Sequence, residues 1–135
     1  MSIGRRWLAI AVCVLLTACT SGEDAGVRAV LDARSAVVVA QNATRLLLDG
    51  RATGPYTQVV LSDTLDAVGD AEQELREASD VDPGHVARAR AVVREAEQVV
   101  DELADAGADR LAAADLDRLT DLVRSLDAAL AELGR

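Results

Sequence analysis

From Val27 onward the apolar positions recur at alternating intervals of three and four residues, and glycine or proline breaks the rhythm at three places. That alternation keeps side chains on one side of a helix with 3.6 residues per turn, whereas a strand would repeat every second residue. The first stretch, about Gly26 to Asp49, lines up Val30, Ala33, Val37, Ala40, Thr44 and Leu47, and Gly50 supplies a stop. The second, about Pro55 to Ala78, lines up Leu61, Thr64, Val68, Ala71, Leu75 and Ala78. Gly54 precedes it, and the fixed φ and missing N–H of Pro55 suit a first helical turn.

Asp82-Pro83 is the clearest helix start, because an aspartate side chain accepts from free N–H groups and proline fits the first helical position. The third helix is predicted over about Pro83 to Ala106, with Val86, Ala89, Val93, Ala96, Val100 and Leu103 inward and Gly107 as its end. The fourth is predicted over about Ala108 to Leu133, with Leu116, Leu119, Val123, Leu126, Leu130 and Leu133 on one stripe, widened by Leu122 and Ala129. The alternative to that start is a shorter fourth helix capped by Asp115. Val37-Val38-Val39 is β-branched but sits inside a helical rhythm, and Gly69 suggests a close helix contact.

Four rods of similar length joined by short turns predict an all-α fold, an antiparallel up-down four-helix bundle. Half of the 135 residues are apolar, mostly Ala, Val and Leu, and the aromatics are Trp7 and Tyr56 alone, so the core is aliphatic. Two of the 14 basic residues, Arg5 and Arg6, precede residue 19, whereas all 23 acidic ones follow it. The remaining 12 arginines against 23 carboxylates leave a balance of −11. Such a charge repels nucleic acid and anionic lipid head groups, so neither is expected as a direct partner.

The first 18 residues are built differently. Met1 to Arg6 is short and basic, Trp7 to Ala18 is an uncharged apolar run of 12 residues, and small residues then lead to Cys19. Twelve residues fall short of the ~20 that cross a bilayer, so this is the layout of a removable export signal rather than a permanent span. Arg5-Arg6 fits twin-arginine export poorly, and general secretion is the expected route. Taken alone, these residues also fit an ordinary signal peptide whose cleavage after Ala18 releases a soluble chain with a free thiol.

Leu16-Thr17-Ala18-Cys19 resembles the lipobox of bacterial lipoproteins: an aliphatic residue, two small residues, then cysteine. The resemblance covers residues 1–19 only. It implies that the Cys19 sulfur becomes a diacylglyceryl cysteine, that a dedicated peptidase cuts between Ala18 and Cys19, and that the new amine is open to further acylation, for instance by palmitate. The expected organisation is therefore a signal peptide at 1–18, a lipidated cysteine and short tether at 19–26, and a helical domain at 27–135. The partner implied first is the lipid bilayer, with the domain held on the extracytoplasmic face of the cell membrane. Thr20 after the cysteine, in place of aspartate, resembles sorting that allows transfer to an outer membrane in a host that has two.

Reactive groups are sparse. His85 is the single histidine and Cys13 leaves with the signal, so neither a zinc nor a copper ligand set is expected. Asp63, Asp66 and Asp70, and likewise Asp101, Glu102, Asp105 and Asp109, fall on helices without the glycine-bearing loop typical of calcium sites, and they read as solvated faces. Glu72, Glu95 and Glu97 lack the Glu-x-x-His pairs of di-metal bundles. Serine hydrolysis lacks its surrounding motif, no phosphate loop is present, and Asn42-Ala43-Thr44 matches the glycosylation tripeptide only in letters. Glu72 with Arg76, and Arg94 with Glu97 and Gln98, have the spacing of surface helical pairs. The expectation is a non-enzymatic envelope module without a cofactor, which recognises an envelope protein through an exposed edge such as that of Tyr56 and Val59. The competing expectation is an envelope protein that binds a small ligand or metal.

Overall fold

The computed structural model describes residues 22–78 and 82–135. Within them the chain is all-helical: α1 spans Gly22–Leu48, α2 Gly54–Glu77, α3 Pro83–Ala106 and α4 Ala113–Leu133, with a single 3-10 turn at Ala108–Arg110. The described residues contain no strand, and the valines at 37 to 39 lie inside α1. None of the described helices is long and apolar enough to cross a membrane.

The four helices form one arrangement around a shared core. α1 packs on α2 and α4, α3 also packs on α2 and α4, and the diagonal contact of α1 with α3 is slight. Val30, Ala33, Val37 and Ala40 meet Leu61, Val68, Leu75, Val93, Ala96, Val100, Leu119 and Leu126 in a single cluster. Its members are aliphatic throughout. Burying each such side chain contributes about 1.5–3 kcal/mol for the larger ones, and two packed neighbours per helix account for the breadth of the stripes.

Local chemistry fixes the ends. Gly50 adopts a positive φ of 72°, its N–H donates to the Leu47 carbonyl and that of Arg51 to the Leu46 carbonyl, which closes the last turn of α1. The Thr53 hydroxyl accepts from the Tyr56 N–H to start α2, and Asp82 accepts from Gly84 and His85 to start α3. Buried threonines keep their hydroxyls satisfied along their own helices: Thr44 donates to the Ala40 carbonyl and Thr57 to that of Thr53. Thr64 reaches both the Val60 carbonyl and, across the interface, the Ala36 carbonyl of α1.

The start of the last helix departs from the first of the two expected positions. Gly107, at φ 91° and ψ 146°, turns the chain out of the helical path, and α4 begins only at Ala113. The Asp115 carboxylate accepts from the Ala112 N–H at 2.9 Å, so the shorter helix anchored by Asp115 is the one that forms. Gln58 of α2 holds the turn from the side: its amide donates to the Ala104 carbonyl and its oxygen accepts from the Ala108 N–H, each at 2.9 Å. Two main-chain groups left without partners at the end of α3 are thereby satisfied by one side chain. Asp109 then lies beside Gly54, placing a carboxylate at the positive N-terminal end of α2.

α4 also differs in register. Leu119, Leu122, Leu126 and Ala129 are buried, whereas Leu116, Val123, Leu130 and Leu133 are only half-buried. The wide apolar stripe offers two neighbouring seams: the deeper one runs through Leu122 and Ala129, and Val123, Leu130 and Leu133 pack half-buried against the same core. Gly69 is not a close contact either: a methyl group built there would meet only Glu97 Oε1, at 3.8 Å. Gly69→Ala therefore fits without displacement and gains helix propensity, and thermal melts should show a stabilisation of about 0.5–1 kcal/mol. A loss of stability would mean that α2 and α3 approach more closely than this.

Candidate functional site

The lipobox residues Leu16, Thr17, Ala18 and Cys19 lie outside the described residues. Within the described residues the other candidates can be placed. His85 sits half-buried in the first turn of α3, where its N–H helps satisfy Asp82. Asp63, Asp66 and Asp70, and Asp101, Glu102, Asp105 and Asp109, are all exposed, and among the described residues no three such side chains converge where they could hold a metal ion. Their spacing along helices spreads the carboxylates over the surface instead of closing them around a centre.

Among the described residues Glu72 is the one acidic residue that is buried. Its side chain is 10% exposed and accepts from Arg76 at 2.8 Å, while Arg94 approaches from α3 at 3.5 Å. The predicted pairing with Arg76 is present, but Arg94 reaches across to Glu72, and Gln98 bonds to Glu102. Helix-to-helix reach outcompetes same-helix spacing here, because Glu72 is partly desolvated and therefore the stronger attractor. The hydrogen bond from Arg76, helped by the charge of Arg94, holds the Glu72 carboxyl below the usual carboxylate range. Asp82 is lowered by the Gly84 and His85 N–H groups, and Glu102 by Arg118 and Gln98.

A depressed carboxylate stabilises the folded chain fully above its unfolded value and loses that contribution as pH falls through the lower folded value. Melts should accordingly hold steady near neutrality and decline as pH drops below about 4.3, the ordinary glutamate value. Glu72→Gln should be less stable than the parent at pH 7, with the difference narrowing toward pH 3. A gap that persists unchanged at low pH would exclude charge pairing as its origin.

Among the described residues, surface grooves lie along the helix seams. One of about 390 Å³ between α2 and α3 is lined by Leu65, Arg94, Glu97, Gln98 and Asp101, three of them charged. A second, of about 370 Å³ between α3 and α4, is floored by Val92 and Ala129 and crossed by the Arg88–Glu132 ion pair at 3.2 Å. The third, about 160 Å³, lies between α1 and α2 and is lined by Ala36, Val39, Val60, Asp63 and Thr64.

The two helices of that third seam carry the three most exposed large apolar side chains among the described residues. Tyr56 and Val59 of α2 are 53% and 59% exposed, and Val39 of α1 is 52% exposed. Val39 and Leu46 are seven residues apart and so lie two turns apart on one side of α1; Tyr56, Val59 and Asp63 follow a 3–4 spacing along α2. Since Val39 and Asp63 line the same notch, both stripes flank a single seam. Sequence reasoning singled out Tyr56 and Val59 but missed Val39 and Leu46. Their signal was present: both fall off the buried stripe of α1, where a large apolar side chain has no core to enter.

Comparison with protein-family models, with curated proteins and with solved structures finds no match to this chain.

Proposed function

We propose that this chain is the precursor of a bacterial lipoprotein, lipidated on Cys19, whose helical domain stands on the extracytoplasmic face of the membrane and works as a non-enzymatic interaction module. The observation that carries the reading is Leu16-Thr17-Ala18-Cys19 at the end of a 12-residue apolar run behind Arg5 and Arg6. The interaction role is supported by the exposed Val39, Leu46, Tyr56 and Val59, because contiguous apolar surface on a folded domain marks a binding site more often than chance.

The domain is read as an antiparallel up-down bundle. Arg34 pairs with Asp127 and Gln41 with Thr120, so positions that advance along α1 retreat along α4; Arg88 with Glu132 and Arg118 with Glu102 relate α3 to α4 in the same way. In that arrangement the turn between α1 and α2 lies at the end of α1 remote from Cys19. A helix of 27 residues is about 40 Å long, so with α1 standing upright the exposed apolar side chains near that turn are held clear of lipid head groups.

The test is made in intact cells of the native host. A photo-crosslinking residue in place of Val59 or of Ala128 should trap a defined envelope protein from at least one of the two faces. If both positions yield only uncrosslinked protein, the interaction role fails.

A further inference from the structure

Resting on the interaction role just described, we infer that the seam between α1 and α2 receives an amphipathic helix of a partner protein, apolar along one stripe and basic one to two turns further on.

The seam has two ends of different character. Toward the α1–α2 turn it presents Val39, Leu46, Tyr56 and Val59. Continuing the same stripes away from the turn, α1 presents Asp32, seven residues before Val39, and α2 presents Asp63, Asp66 and Asp70. All four carboxylates are exposed, and none joins an ion pair among the described residues; Arg28, one turn before Asp32, offsets one of the four charges. A helix laid along the seam therefore meets apolar surface first and negative charge next.

The size of the notch indicates what enters it. At about 160 Å³ it lies below the roughly 300–1,000 Å³ of small-molecule pockets, and it suits an inserted side chain. Two parallel ridges with a furrow between them are the surface into which a third helix packs, with anchors at i, i+3 or i+4, and i+7. A second copy of this chain is the poorer occupant, because it brings the same carboxylates and a like net charge of −11 beyond residue 19. Anionic lipid is repelled for the same reason. Basic flanks on the partner are attracted by the carboxylates and fix its direction along the seam.

The experiment uses the full lipidated protein in nanodiscs of zwitterionic lipid and two helical peptides with the same leucine stripe, one flanked by lysine and one by glutamate. The lysine peptide should bind and shift the NMR signals of residues 32–46 and 56–70, with the glutamate peptide at least about tenfold weaker. Asp63→Asn/Asp66→Asn/Asp70→Asn should erase most of that difference, and Tyr56→Asp/Val59→Asp should weaken the lysine peptide by about tenfold or more. Because all five side chains are exposed, unchanged melts will certify both variants as folded. Equal binding of the two peptides, binding of neither, shifts confined to the α3–α4 groove, or a Val59 crosslink to a second copy overturns the assignment. A cellular crosslink obtained only from Ala128 would overturn it while leaving the interaction role intact, whereas silence at both positions removes the two together.

Discussion

Cys19→Ser is expected to abolish lipid attachment to this protein. In the proposed maturation, the sulfur is the atom that carries the diacylglyceryl group, and a serine oxygen does not replace it in that thioether. Each acyl chain of a dozen or more methylenes contributes on the order of 10 kcal/mol at about 0.8 kcal/mol per methylene, so two chains make spontaneous release negligible. Removing them takes away that anchoring free energy, so any chain from which the leader has also been cut should leave the membrane, since the folded domain is acidic. Intact mass reads the result directly. The parent should begin at Cys19 and carry fatty adducts, and the variant should carry none. A parent protein that retains Met1, or that begins at Cys19 without an adduct, sinks the proposal.

Leu126→Ala should be among the most damaging single truncations within the domain, with those of the equally buried Leu61, Leu75 and Leu119. Leu126 is fully buried where α4 meets the central cluster, and removing three methyl or methylene groups from such a site costs about 2–5 kcal/mol once the residual cavity is included. Against a total stability of roughly 5–15 kcal/mol, that is a large fraction, and the melting temperature should fall by about 10–20 °C. A paired comparison tests the seam that α4 uses. Leu122→Ala should cost clearly more than Val123→Ala, since Leu122 is 3% exposed while Val123 is half-buried. Equal losses would place the α4 seam where the simple 3–4 spacing through Val123 and Leu130 puts it.

That comparison also shows where sequence reasoning succeeds and where it stops. In α3 the 3–4 spacing picks out Val86, Ala89, Val93, Ala96, Val100 and Leu103, and all six are buried as predicted, with Val92 and Val99 packed half-buried beside them. In α4 leucines and alanines on adjacent positions admit two seams, and the choice depends on the neighbouring helices, which periodicity does not encode. The ends follow the same division. Asp82 and Gly50 act locally and were legible, whereas the clamp of Gln58 on Ala104 and Ala108 joins residues 46 and 50 positions apart and left no trace in local pattern. For the candidate seam, α2 supplied a visible signal in Tyr56 and Val59. In α1 the off-stripe positions of Val39 and Leu46 were visible too, but which part of α2 they accompany became legible only when folding placed Val39 beside Asp63.

The aliphatic interior has an optical consequence. Beyond residue 19 the chain holds one aromatic ring, Tyr56, and that ring stands outside the core. Its ultraviolet emission is consequently almost blind to unfolding of the interior, which must be followed through the amide backbone. The same isolation makes it a background-free reporter of whatever settles against the far end of the domain.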